Sequence, residues 1–417
     1  MRILFLTDNF PPEGNAPATR TYEHAVRWVR AGHEVTVITC APNFPEGKLF
    51  PGYRNAWRSM ETLDGIRVVR VKTYITANEG FAKRTLDYLS FMAASVGFGL
   101  FERRHDVIVA TSPQFFCALG GWALARLRRR PFVFELRDLW PASITAVGAM
   151  QRSPAIRVLE KLEMFLYRSA HAIVPVTQSF RDELIQRGVD AGKIHVVLNG
   201  VDLQRYRPGP RDEALAREYD LDGRFVVGYL GTHGMAHGLE KVLDAVERLR
   251  DEPRIAFFFA GSGAERARVE QLVAERGLHN VRMIPRQPKD MMPRLWSLCD
   301  LSLIPLRDTP VFSSVIPSKL FEGMGMGIPA LMSLPRGEAT RIVESTGCGV
   351  CVPPEDGAAM AEAIRELAAD PERMRRLREA SLAAAPAYSR DRQATLMTDA
   401  LSRLLDDDSG GLLRASK

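Results

Sequence analysis

The chemistry-bearing residues crowd most densely into Ser313–Ala330. There Ser318 is placed to cap a helix and Lys319 falls in its first turn. A cation beside the positive end of a helix dipole is unfavourable unless an anion is present. That local conflict is the kind a binding site leaves in a sequence. Glu322, three residues on, shares the same helical side, where its carboxylate can accept two ribose hydroxyls. A capping pair with an exposed lysine is the plainer alternative, and the sequence leaves both open.

Other candidate loops each join a strand to a helix. Gly261-Ser-Gly263 lets a ligand approach the backbone at a helix start, or is simply a tight turn. Gly231-Thr232-His-Gly-Met-Ala-His237-Gly238 reads as a flexible polar loop meeting a phosphate; zinc on His233, His237 and Glu240 is disfavoured by the intervening glycines. The loop Asp8–Arg20 lacks the GxGxxG of dinucleotide enzymes, which counts against nicotinamide or flavin chemistry. Its Gly14 and Asn15 suit one phosphate or sugar hydroxyl, or a plain turn. Arg137 and Asp138, at the end of an apolar run, are cleft candidates or a structural ion pair.

These loops need a frame, and the apolar pattern supplies one. Strand-like runs at 3–7, 34–39, 66–71, 107–111, 132–136, 172–176 and 194–198 alternate with helical patterns such as 19–31, 84–102, 115–128 and 155–169. Continuous Val/Ile/Phe runs mark strands buried on both faces of a parallel sheet. The pattern restarts at 225–229, 255–260, 281–284, 301–305, 329–332 and 349–352, after a Pro/Gly-rich stretch at 204–223. Two Rossmann-like α/β domains follow, 1–203 and 204–389, with a last helix at about 390–405 packing back toward the first and a frayed tail over 406–417. In such folds ligands bind at the carboxyl ends of the strands.

Composition agrees with two or three globular domains: 417 residues, 46% hydrophobic and 25% charged. Residues 1–200 carry 26 Lys+Arg against 18 Asp+Glu, so the net charge of +6 belongs to the first half and points to an anionic partner or a solvated basic face. Five scattered cysteines make no disulfide framework, and Cys348 and Cys351, a lone CxxC, read as part of a buried strand. The apolar run Leu86–Phe101 contains Asp87 and is too short to span a bilayer, and residues 1–8 read as a strand rather than a signal peptide. The expected location is cytoplasmic.

Taken in order, several segments resemble the family 4 retaining glycosyltransferases of GT-B fold. They are His33-Glu-Val-Thr-Val, Ile194-His-Val-Val-Leu-Asn-Gly-Val-Asp202, Val227-Gly-Tyr-Leu-Gly, Asp300-Leu-Ser-Leu-Ile-Pro and Pro317-Ser-Lys-Leu-Phe-Glu-Gly-Met-Gly-Met-Gly-Ile-Pro329. Arg137-Asp138-Leu-Trp-Pro and Pro317-Ser-Lys are most similar to bacterial transferases of O-antigen, capsule and exopolysaccharide assembly, including L-fucosamine (N-acetylfucosamine) transferases. The resemblance implies a nucleotide-sugar donor, usually UDP-linked. Glu322 matches the second glutamate of the family's pair, whereas Ser314 stands where the first belongs; Gly231 and His237 stand where a diphosphate-clamping Arg and Lys are usual. The candidate donor contacts are Gly14, Asn15, Gly231, Thr232, His237, Gly261, Gly263, Arg286, Ser318, Lys319, Leu320 and Glu322, with Arg137, Asp138 and Lys319 as catalytic candidates. No metal or other cofactor is expected, because Asp220-Leu-Asp222 reads as a turn rather than a metal motif.

The resemblance also implies a polyprenyl-diphosphate-linked saccharide acceptor at the inner face of the plasma membrane, and no nucleic acid. Lys83-Arg84 and Arg103-Arg104 bracket the apolar run with Tyr88, Phe91, Met92, Phe98 and Phe101; Trp122 and the basic run 126–130 follow. That composition suits a helix lying among anionic headgroups, and equally a buried crossover helix. Two rivals bind the same donor: a GT-B UDP-sugar epimerase and a non-catalytic nucleotide-sugar-binding subunit.

Overall fold

Runs of Val, Ile and Phe with no polar face can only be buried as strands covered by helices on both sides. The computed structural model describes residues 1–76, 81–112, 114–139 and 154–414, and these runs build two units. One is Met1–Leu198 with Asp391–Lys417; the other is Asn199–Arg390.

The first unit holds β1 (Arg2–Leu6), β2 (Glu34–Cys40), β3 (Arg58–Leu63), β4 (Ile66–Val71), β5 (Val107–Thr111), β6 (Phe132–Leu136) and β7 (Ala172–Pro175). Their order is β3-β4-β2-β1-β5-β6-β7. The chain winds one way from β1 and the other way from β5, so the loops after these two strands part at the switch point. Neighbours are parallel except β3 and β4, which form a hairpin through Asp64 and Gly65, both at positive φ. The apolar pattern did not announce β3, because this edge strand is mostly exposed and has no apolar alternation; Asp64-Gly65 was its signal. The expected strand at 194–198 is reduced to a single bridge, Ile173–Ile194.

The helix Arg390–Arg414 belongs to this unit from Asp391 onward. Ala394, Met397 and Leu401 enter the core beside Ile3, Phe5 and Trp28, whose indole N–H donates to Ala394 O at 3.0 Å. Residues 406–414, expected to fray, continue that helix.

The second unit is a parallel sheet of β8 (Phe225–Leu230), β9 (Ile255–Ala260), β10 (Val281–Ile284), β11 (Leu301–Pro305), β12 (Ala330–Ser333) and β13 (Gly349–Val352), ordered β10-β9-β8-β11-β12-β13. Winding reverses between β8 and β11. Gly228 lets them approach, since a Cβ there would lie 2.3 Å from Cys299 Sγ.

Candidate functional site

At the switch point of the second unit, the loop after β8 meets the helix Ser318–Met326. Pro317, not Ser318, occupies the cap position of that helix and offers no side-chain hydrogen bond. Ser318 is therefore the first helical residue, and it is exposed. Lys319 is the surprise: its side chain is folded inward, 8% exposed, with no hydrogen-bond partner for Nζ. That nitrogen sits 3.7 Å from the centroid of the Tyr229 ring. Burial pushes its pKa down to about 7, with Glu322 opposing. The alternative of an exposed lysine does not describe this residue.

Two histidines share the pocket. His233 is fully buried with neither ring nitrogen bonded, and His237 Nδ1 lies 3.3 Å from Gly234 O. Both rings pack against Tyr229, at 5.5 and 5.9 Å. Burial first, then neighbouring cations (Arg266 and Lys319 for His233, Lys319 for His237), lowers each to about 4, so neither is charged at neutral pH. Thr232 is exposed, and its carbonyl accepts the Tyr229 hydroxyl. Glu322 is half-buried, and its Oε2 receives the Trp296 indole N–H at 3.2 Å.

Gly261 and Gly263 are needed for a reason other than ligand approach. At φ +155 each, a Cβ on Gly261 would stand 1.8 Å from Gly231 O and one on Gly263 2.4 Å from His233 O. The two loops are zipped backbone to backbone, with His233 N–H donating to Ser262 O at 2.9 Å. Leu320 is a core residue whose N–H is spent on Pro317 O. Arg286 is exposed beyond β10, on the sheet's outer edge. Glu240 pairs with Arg307 at 3.2 Å, and Arg307 Nε donates to Met235 O at 2.6 Å, tying the loops after β8 and β11 together. Among the described residues no group of three His, Cys, Asp or Glu is arranged to hold a metal.

The other candidates lie in the first unit. Asn15 caps the helix Ala16–Arg30, its Oδ1 accepting Ala18 N–H at 3.0 Å while Nδ2 donates to Asn9 Oδ1; Gly14 precedes it. Beside them Glu13 is buried, Oε1 accepting the Asn43 and Phe44 N–H groups at 2.8 and 2.9 Å and Oε2 unpartnered. After β6, the N–H groups of Arg137 and Asp138 converge on Ser112 Oγ at 2.7 and 3.3 Å. Asp138 keeps open surface, yet the protein crowded around it raises its carboxyl pKa, with Arg137 opposing. Just upstream, Glu135 pairs with Arg20 at 2.9 Å. The rest of that loop, from Trp140, lies outside the described residues.

So the structure gathers Gly231, His237 and Glu322 around Lys319, packs Gly261 and Gly263 against the loop of Gly231 and His233, and leaves Arg286 apart. Tyr229 and Trp296, absent from the candidates, were hidden as apolar residues of a strand and a helix; His233 was considered only for zinc.

Residues 15–200 match the glycosyl transferase 4-like domain, and residues 212–383 the glycosyl transferases group 1. A protein named for colanic acid biosynthesis, the glycosyl transferase WcaI of Escherichia coli (strain K12), is 30% identical over 378 residues, 88% of this chain and 92% of that one. The chain belongs to the glycosyl transferases. WbjE of Pseudomonas aeruginosa, named a probable glycosyltransferase, is 27% identical over 268 residues, 64% of this chain and 66% of its own. Among solved structures, sucrose-phosphate synthase from Thermosynechococcus elongatus superposes with a TM-score of 0.76 at 20% identity, covering 97% of this chain and 99% of that one. Anabaena HepE in complex with UDP gives 0.70 at 19% identity, covering 97% and 100%. This glycosyltransferase therefore has the GT-B fold of two parallel-sheet α/β units.

Proposed function

We propose that this glycosyltransferase moves a sugar, with retention, from a UDP-sugar to a lipid-linked saccharide in the assembly of a cell-surface polysaccharide. The observation that carries the donor half is Lys319: a buried amine without a hydrogen-bond partner, at a helix N-terminus, beside the backbone of Gly231. With His233 and His237 held neutral, Lys319 is, of the candidate residues around Gly231, the one that can meet a diphosphate with charge. Charge develops on the diphosphate as the glycosidic bond breaks, and a preorganised cation with free helix N–H groups stabilises it without a metal. Glu322, oriented by Trp296, is placed to accept ribose hydroxyls.

Polysaccharide assembly is supported by the name of WcaI, which refers to colanic acid biosynthesis, and by the surface of the first unit. On the helix Phe81–Gly99, Phe91 and Ser95 face inward, while Leu86 and Leu89, and Leu100 and Phe101 in the turn that follows, stay exposed, as do Lys83, Arg103 and Arg104. Among the described residues no helix is long and apolar enough to cross a membrane. An apolar stripe with basic flanks suits attachment to an anionic leaflet, where a lipid-linked acceptor resides.

The deciding experiment incubates the protein with a panel of UDP-sugars, UDP-N-acetyl-L-fucosamine among them, and a short-chain prenyl-diphosphate-GlcNAc acceptor, read by mass spectrometry. A product with the anomeric configuration of the donor, formed equally after EDTA treatment, is the expected result. UDP release without acceptor glycosylation counts against transfer to this class of acceptor, and metal-dependent turnover against the role given to Lys319.

A further inference from the structure

Few of the groups around Lys319 favour its charge. From β8 comes the Tyr229 ring, whose hydroxyl is spent on Thr232 O. From the loop after β8 come His233 and His237, and the backbone of Gly231, where a Cβ would stand 3.4 Å from Nζ. On its own helix, Glu322 favours the charged form, but Glu322 is shared with the Trp296 indole. An ammonium needs three acceptors, and here Nζ has none. A buried amine in that position sheds its proton rather than stay desolvated and unpaired.

Resting on the reading of this site as a diphosphate site, we infer that Lys319 gives up its proton readily in the empty protein, so that above neutral pH it is largely neutral there and takes one proton from solvent as the donor binds. The balance is simple: the amine plus a proton gives the ammonium, and no bond of the donor is made or broken. The diphosphate supplies the missing acceptors and the negative charge. Its arrival raises the affinity of Nζ for a proton, and protonation raises the affinity of the pocket for the diphosphate by the same factor. The free-state value of about 7 sets where the effect is felt. Above it the donor dissociation constant rises about tenfold per pH unit, and below it the constant levels off. The two histidines, held near 4, leave this window to Lys319.

The test is calorimetric titration with UDP-glucose, whose diphosphate diester does not itself titrate in this range. Buffers of different ionisation enthalpy report protons exchanged. The expected result is uptake approaching about one proton per UDP-glucose at about pH 8, fading toward zero near pH 6. Lys319→Met, with its thermal midpoint checked, should bind more weakly, without uptake and without pH dependence. Binding with no uptake at about pH 8, or uptake that survives in Lys319→Met, overturns this inference alone. If neither UDP, GDP nor UDP-glucose binds the wild-type protein at any pH, the diphosphate reading itself fails, and the inference with it. The wild-type comparison between buffers stands even if the variant does not fold.

Discussion

The Lys319 Nζ atom lies 3.7 Å from the centroid of the Tyr229 ring, which joins the second unit's first strand to the helix that opens the loop cluster. The ring holds the amine in place by packing, and by cation–π attraction when the amine is charged, while its hydroxyl braces Thr232 O. Lys319→Ala should therefore lower kcat/KM about 100-fold or more, the scale of one preorganised charge contact. Tyr229→Phe keeps the ring and should stay within about threefold of wild type, because it loses only the bond to Thr232 O. Steady-state kinetics on both variants checks the pair, and equal losses would mean that the hydroxyl rather than the cation matters.

The loop beneath Lys319 owes its shape to the contact between Gly261 and Gly231. A Cβ at Gly261 would stand 1.8 Å from Gly231 O, so Gly261→Ala must push the two loops apart. Gly277 has a similarly unusual φ, +62, but open space around it. Gly277→Ala should cost only the conformational strain, about 1 kcal/mol, whereas Gly261→Ala should lower the melting temperature further and weaken UDP binding as well. Melting curves and titration calorimetry decide, and equal behaviour of the two variants would remove the packing argument.

How far these features were legible follows from what a sequence pattern encodes. The continuous apolar runs gave the strands of both sheets, because burial on two faces leaves a one-dimensional signature. β3 left none, since an exposed edge strand has no apolar face to show. The conflict between Lys319 and the helix dipole was visible, but its inward fold was not: which way a lysine turns depends on Tyr229, ninety residues away in the chain and adjacent only once β8 and β11 pair. Gly261 and Gly263 read in the sequence as a ligand approach or a tight turn, and the structure adds a constraint that neither reading contains, the contact with the neighbouring loop. Asn15 reads in isolation as a polar contact and is a helix cap.

The apolar stripe on the helix Phe81–Gly99 makes a separate forecast. Phe101 is 84% exposed and Leu86 50%, so charging them disturbs little of the core. Wild-type protein should float with vesicles rich in anionic lipid at low salt, and Leu86→Glu/Phe101→Glu should bind at least tenfold more weakly at unchanged melting temperature. Absence of wild-type binding removes the membrane proposal, and undiminished binding by the variant moves it to another face.

Glu13 and Asp87 give the first unit a characteristic pH response. Burial raises both carboxyls to about 7, with Asp8 adding repulsion; their ordinary values are 4.5 and 3.8. The folded protein then holds protons that the unfolded chain has released, so their contribution to stability is full below about pH 4 and is lost as pH rises to about 7. Glu13→Gln can keep the bonds from Asn43 and Phe44 through its carbonyl oxygen. It should flatten that slope and raise the melting temperature at about pH 8 relative to wild type. Melting curves across this range test it; an unaltered slope would mean that Glu13 is ionised in the fold.

Arg20 and Glu135 form the buried pair of the first unit, 1% and 2% exposed, at 2.9 Å. The guanidinium also donates to Leu198 O at 2.6 Å and Val197 O at 3.0 Å, so it anchors the segment that did not become a full strand. Burial alone would raise the Glu135 carboxyl, but Arg20 and then Arg137 hold it below its ordinary value. Its contribution is therefore present above the ordinary carboxylate pKa and lost as pH falls, opposite in sign to Glu13. Arg20→Met leaves a carboxylate buried without its partner and should cost roughly 3–5 kcal/mol. Glu135→Leu should also destabilise, while Arg20→Met/Glu135→Leu should recover part of the loss, because two apolar residues of similar volume need no pairing. Urea unfolding of the three variants, followed by tryptophan fluorescence and circular dichroism, measures the coupling. A double variant whose loss equals the sum of the single losses would show that the two side chains act independently, and that the carbonyls of Val197 and Leu198 are the true anchor of Arg20.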